Sequence, residues 1–156
     1  MNEVLEHTKT SEGINALEKI MLDQLEPAIE ELEHVHTPGL YGRKWSAKAG
    51  TLWISAIHKV CHQFVILKGA LSVWVNGQET YYEAPFNGIT QPGTRRVLYI
   101  FEDTDFMTFH PNPDNLNEVE FIELVTEKHE NSLFSEEDEK LLATIRSNIE
   151  QKYLTT

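Results

Sequence analysis

The chain has a single cysteine, Cys61, so no internal disulfide can form. That suits a reducing compartment and excludes a small disulfide-stapled scaffold. No apolar stretch approaches the roughly 20 residues that a helix needs to cross a bilayer. The opening MNEVLEHTKTSEG has neither the basic start nor the apolar run of a secretion signal, which makes a cytoplasmic protein the expectation. Basic residues are scarce, 13 Lys and Arg against 25 Asp and Glu, for a formal net charge of −12. Phosphate backbones and anionic membranes need a basic face, so neither nucleic acid nor membrane is expected as a partner. Internal repeats and low-complexity segments are missing as well. What remains, 156 residues with 40% hydrophobic content, fits one domain with a core of its own.

The acidic residues are unevenly placed. They cluster in 18–33, at Glu102-Asp103 and in 118–139. Such flanks read as solvated faces.

The chemistry concentrates in TLWISAIHKVCHQFVILKGALSVWV, where His58 and His62 sit four apart. On a helix this spacing puts two imidazoles on one face, as in zinc peptidases, but that motif needs a Glu after the first His and Lys59 stands there. The neighbours Trp53, Ile54, Ile57, Val60, Phe64, Val65 and Ile66 are β-branched or aromatic and favour strands. The reading is a β-hairpin that carries both imidazoles to the mouth of a barrel. Cys61 is taken as a small residue within it.

Residues 10–34 read as a helix capped by Thr10 or Ser11, with Ile14, Leu17, Ile20, Met21, Leu25, Ile29 and Leu32 at helical spacing and Pro27 as a kink. His34 and His36 then fall at the helix end, before a Thr-Pro-Gly turn. Strands are expected near 40–46, 51–58, 62–68, 71–76, 79–83, 87–90, 96–101, 104–110 and 118–125, separated by turn chemistry of which Asn76-Gly77 is the clearest case. A second helix is expected over 135–152, with Leu141, Leu142, Ile145, Ile149 and Tyr153 along one stripe.

Side chains alternate faces along a strand. An inward His58 brings Ile54 and Leu52 with it, and an inward His62 brings Phe64 and Ile66. An inward His110 brings Thr108 and Phe106, and an inward Arg96 brings Leu98 and Ile100. Each strand then offers one polar group near its end with apolar residues behind it, a common pattern in ligand sites. His58, His62 and His110 can form a three-nitrogen site for Zn, Fe, Ni or Mn, with open positions for water or substrate. Arg96 suits an anionic ligand, and Phe64, Thr108 and Tyr99 are candidate ligand-contacting residues.

The spacing from Gly50 through Ala56, His58 and His62 to Gly69 resembles the first signature of the cupin superfamily. Ala56 replaces its first His, and His62 its Glu. Gln91-Pro92-Gly93-Thr94-Arg95-Arg96 resembles the second signature, with Arg96 in place of its His. More narrowly, HKVCH, QPGTRRV and FEDTDFMTFHP resemble small cupin-like proteins of tailed bacteriophages, which would place the protein in a bacterial or phage-infected cytoplasm. The resemblance implies a mainly β, single-domain jelly-roll barrel over 39–127. An N-terminal helical extension (1–38) and a C-terminal helix (128–156), packed on the barrel or a partner, flank it. It also implies a homodimer. Two functions follow: a metal-binding cupin for a small polar or anionic molecule, with or without catalysis, or a non-catalytic module that binds small molecules or proteins, such as a phage accessory protein.

Overall fold

The computed structural model describes residues 2–28 and 31–153. In chain order the elements are α1 (Asn2–His7), α2 (Ser11–Gln24), β1 (Glu31–Thr37), β2 (Gly39–Ala47), β3 (Leu52–Ile54), β4 (His62–Lys68), β5 (Ala70–Val75), β6 (Gln78–Glu83), β7 (Phe86–Thr90), β8 (Val97–Ile100), β9 (Thr104–Asn112), α3 (Glu118–Val125) and α4 (Glu136–Tyr153). The strands form two antiparallel sheets, ordered β1-β2-β9-β4-β7 and β3-β8-β5-β6. Their inner faces share one core: Trp45, Ala47, Phe64, Ile66 and Phe106 from the larger sheet meet Leu71, Val73, Leu98 and Ile100 from the smaller. This is a jelly-roll sandwich, closed by apolar burial between the sheets.

A second core lies outside the smaller sheet. Thr10 caps α2 by accepting the Gly13 amide at 3.0 Å. The helix then lays Ile14 and Leu17 on Trp74 and Val97, with Leu52, Ile54 and Tyr99 beside them. Covered on both faces, β5 is buried from Ala70 to Trp74, which explains why ALSVWV reads as an unbroken run rather than an alternation. The β5–β6 hairpin turns on Asn76 and Gly77, both at positive φ (50° and 77°), as its Asn-Gly sequence requires.

Three expectations need correction. The N-terminal helix stops at Gln24, and residues 31–37 form strand β1 on the edge of the larger sheet. Pro27 cannot continue a helix and disfavours helical backbone at the residue before it. Beyond it Leu32 packs toward the core while Glu31 and Glu33 face water, a period of two. The segment 118–125 is helix α3, not a strand: Asn117 accepts the Val119 and Glu120 amides, and Glu120 reaches back to the Asn117 amide in a capping box. Finally, β3 and β4 do not form a hairpin, because they belong to different sheets. Residues 55–61 cross from one to the other. Leu52 and Ile54 consequently face α2, and Trp53 faces the core.

At the C-terminus, Ser135 and Asp138 cap α4 reciprocally, and Lys19 of α2 pairs with Asp138 at 3.2 Å. Leu141 is exposed, whereas Leu142 and Ile145 are half-buried. Ile29 and the side chains of Ile149 and Tyr153 lie outside the described residues.

Candidate metal centre

Register across the larger sheet arranges its inner face in rows. One row runs His36 (β1), Tyr41 (β2) and His110 (β9), and continues in register through His62 (β4) to Thr90 (β7). The next row inward is His34, Arg43, Thr108, Phe64 and Gly88. Behind it Trp45, Phe106 and Ile66 are wholly apolar. The polar rows therefore occupy one end of the barrel and the aromatic core seals it from below. Phe64 stacks on Phe106 at 5.2 Å, and Gly88 leaves the space its ring fills: a Cβ there would meet Phe64 at 2.7 Å.

The third imidazole arrives from outside this ladder. Ser55 donates its amide to the Arg96 carbonyl (2.9 Å) and accepts the Arg96 amide on its hydroxyl (3.0 Å). The Gly93 amide donates to the His58 carbonyl at 2.8 Å, the Lys59 amide to the Val125 carbonyl at 2.7 Å and the Glu127 amide to the Ile57 carbonyl at 2.8 Å. His58 itself bridges Thr126. The crossing loop is thus pinned between the 91–93 turn and the C-terminal end of α3.

Together these elements place His58, His62 and His110 so that one ring nitrogen from each lies within 4.8 Å of the others. Ring centroids are 4.5 Å apart for His58–His62, 4.4 Å for His62–His110 and 5.9 Å for His58–His110. His62 and His110 are each 3% exposed. Nδ1 of His58, Nε2 of His62 and Nδ1 of His110 are buried without a hydrogen-bond partner. Burial, with the charge of Arg96, holds His62 down at about 4. Burial, then His62, Arg96 and Arg43, does the same for His58, also to about 4. His110 falls to about 3 through burial and its two neighbours. All three are neutral at pH 7, the form that binds metal. An unsatisfied buried polar atom costs about 1–3 kcal/mol, and a cation held by one nitrogen of each ring fits a cluster in which every ring has such an atom. The donor set suits a borderline transition ion.

Arg96 is 8% exposed and donates to Thr90 Oγ1 at 3.0 Å, while its Nε has no partner. Burial brings its guanidinium to about 10, still charged at neutral pH. Tyr41, 1% exposed, packs between His36 and His110, and burial raises its phenol to about 12, so it donates to His34 Nδ1 (2.8 Å). Phe121 of α3 closes over Tyr41 and meets His110 edge-on at 5.4 Å. A surface depression of about 450 Å³ lies nearby, between the β1–β2 turn and the start of α3, lined by His36, Asn112 and Glu118 among others. It shares none of the three imidazoles, and its His36–Glu118 pair is already made at 3.2 Å. The unpartnered buried histidine nitrogens are in the imidazole cluster, and the chemistry is placed there.

No protein-family model matches the sequence, and no curated protein matches it. Solved structures do. Salicylate 1,2-dioxygenase from Pseudoaminobacter salicylatoxidans, as adducts with gentisate, superposes with a TM-score of 0.51 at 17% identity, over 70% of this chain and 32% of that one. A cupin-2 domain containing protein from Shewanella frigidimarina matches at 0.46 and 13% identity, over 65% and 97%. The EutQ protein of Clostridium difficile matches at 0.48 and 12%, over 56% and 71%. The fold is that of a cupin. At these identities the similarity concerns architecture, and the chain spans about a third of the dioxygenase.

Within this cupin fold, the sequence-derived candidates are distributed as follows. His58, His62 and His110 come together, with Arg96 beside them. Thr108 and Phe64 lie one row further in, Phe64 as part of the packed core. Tyr99 does not reach the site: it points from β8 to the opposite face and packs under α2, because parity with inward Leu98 and Ile100 forces it out. Cys61 is exposed, one residue out of phase with His62. Sequence reasoning missed Arg43 and Thr90 as neighbours of the imidazoles, and Ser55 as the anchor of the Arg96 backbone. For Arg43 the signal existed: with Trp45 inward on the same strand, Arg43 and Tyr41 must follow.

Proposed function

We propose that the protein is a metal-binding cupin that takes a small anionic molecule at the barrel end. His58, His62 and His110 would hold one divalent transition ion, of the Zn, Fe, Ni or Mn class. The observation that carries this reading is three neutral imidazoles with one ring nitrogen of each within 4.8 Å of the others, each ring also having a buried nitrogen without a hydrogen-bond partner. Three protein ligands leave positions open for an exogenous oxygen, and a bound ion would supply Lewis-acid polarisation there. Arg96 would orient the anion, while Tyr41, Phe64 and Phe121 keep water from the imidazoles. A homodimer in a cytoplasm belongs to the same reading, and a monomeric mass by light scattering would remove that part of it.

The test is metal titration of tag-free protein with elemental analysis. One ion per chain is expected, lost in His62→Gln and in His110→Gln. A chain with no affinity for Zn, Fe, Ni or Mn overturns the proposal. The alternative is a non-catalytic module for small molecules or proteins, and α3 packing over His110 favours it. Metal binding without turnover of any anion that binds would support that alternative.

A further inference from the structure

Arg43 is a second cation at the barrel end, half-buried where Arg96 is buried. It stands between His34 and Thr108 in register, on the same face as buried Tyr41 and Trp45. Its Nε is buried and has no hydrogen-bond partner, as is the Nε of Arg96. Among the described residues neither arginine forms an ion pair, although Arg95, next in sequence to Arg96, is bound by Glu18 at 3.0 Å. The two guanidiniums start from different parts of the fold, Arg43 from β2 of the larger sheet and Arg96 from the residue before β8 of the smaller. Arg43 acts on His58 and His110, while Arg96 acts on His58 and His62 and anchors on Thr90.

The charge count is one-sided. The three imidazoles are neutral, the two arginines carry two positive charges, and a divalent ion would bring the total to four. No described carboxylate pairs with either arginine. Buried charges persist where something compensates them, and a planar fork suits a carboxylate held by two parallel hydrogen bonds. A diacid offers one carboxylate to each of two guanidiniums carried by different elements, where a monoacid offers a single group.

We propose that the site binds a small dicarboxylate, with one acid group on Arg96 and the other on Arg43. The proposal deepens the anion-binding reading above and rests on it. Both the apo and the metal-loaded full chain are titrated calorimetrically with malonate, succinate, glutarate and adipate. Each is compared with the monoacid of equal carbon number, and inorganic phosphate serves as a single-group dianion. At least one diacid is expected to bind tenfold or more tighter than its monoacid and tighter than phosphate. Arg43→Gln should bring that diacid to the monoacid level while leaving metal stoichiometry unchanged.

Equal binding of every diacid and monoacid pair overturns the proposal, and this comparison needs no variant. A preference that survives Arg43→Gln also overturns it, as does phosphate binding tighter than every diacid. Metal uptake without diacid preference sinks this inference and leaves the metal centre standing. Diacid preference in a chain that takes no metal does the reverse.

Discussion

Arg95 and Arg96 are sequence neighbours on opposite faces. Arg95 points to α2 and is satisfied by Asn15 (2.7 Å) and Glu18. Arg96 points inward and has only Thr90 and its own backbone contacts. A charge kept in that position without a carboxylate weakens the empty protein. Arg96→Met should raise the stability of the ligand-free chain by about 1–2 kcal/mol, read from a denaturant midpoint, while anion binding falls. The imidazoles give a second expectation at this scale. In the unfolded chain each titrates near 6.5, whereas folded His58 and His62 sit at about 4 and His110 at about 3. The unfolded state therefore binds protons first. The contribution of the neutral rings is complete above about 6.5 and is lost as pH falls toward 4 and below. Apo protein should lose stability steeply across that window, and His62→Gln should flatten the slope. His62 and His110 were legible in the sequence from their strand positions, whereas His58 was singled out by its spacing but reaches the site on the 55–61 crossing and not on a hairpin. Arg43 was not singled out, since alternation tells which residues share a face only after one of them is known to point inward.

Among the elements, β4, β5 and β9 were readable because alternation or a continuous apolar run matched their burial. Two segments misled for physical reasons. EVEFIELV has the composition of a strand, yet the Asn117–Glu120 capping box makes it a helix. ELEHVHT continued a helical spacing across Pro27 by coincidence of Ile29 and Leu32. The error over α3 matters for the site, since the C-terminal end of that helix receives the loop that carries His58. Asn117→Ala should cost about 1 kcal/mol of stability and should also weaken metal affinity several-fold, although Asn117 is no ligand. Calorimetric metal titration checks it. Unchanged affinity would show that α3 does not position His58.

At the scale of the whole molecule, the surface and the interior carry opposite charge. The chain has a formal net charge of −12, while the barrel end holds Arg43 and Arg96 without carboxylate partners among the described residues. An approaching anion is repelled at long range and attracted only at close quarters. Screening lengths of about 30 Å at 0.01 M and about 8 Å at 0.15 M ionic strength make the repulsion adjustable. The association rate of a dicarboxylate should consequently rise with added salt, measured by stopped-flow fluorescence, which is the reverse of ordinary charge steering.

The pinned loop has a last consequence. His58 is suspended from the same amides, those of Lys59 and Glu127, that fasten α3 to the barrel. An ion that grips the ring would also grip the helix, because one segment serves both. Deuterium uptake at those two amides should slow markedly when metal is added, while amides on the distant β5–β6 hairpin keep their rates.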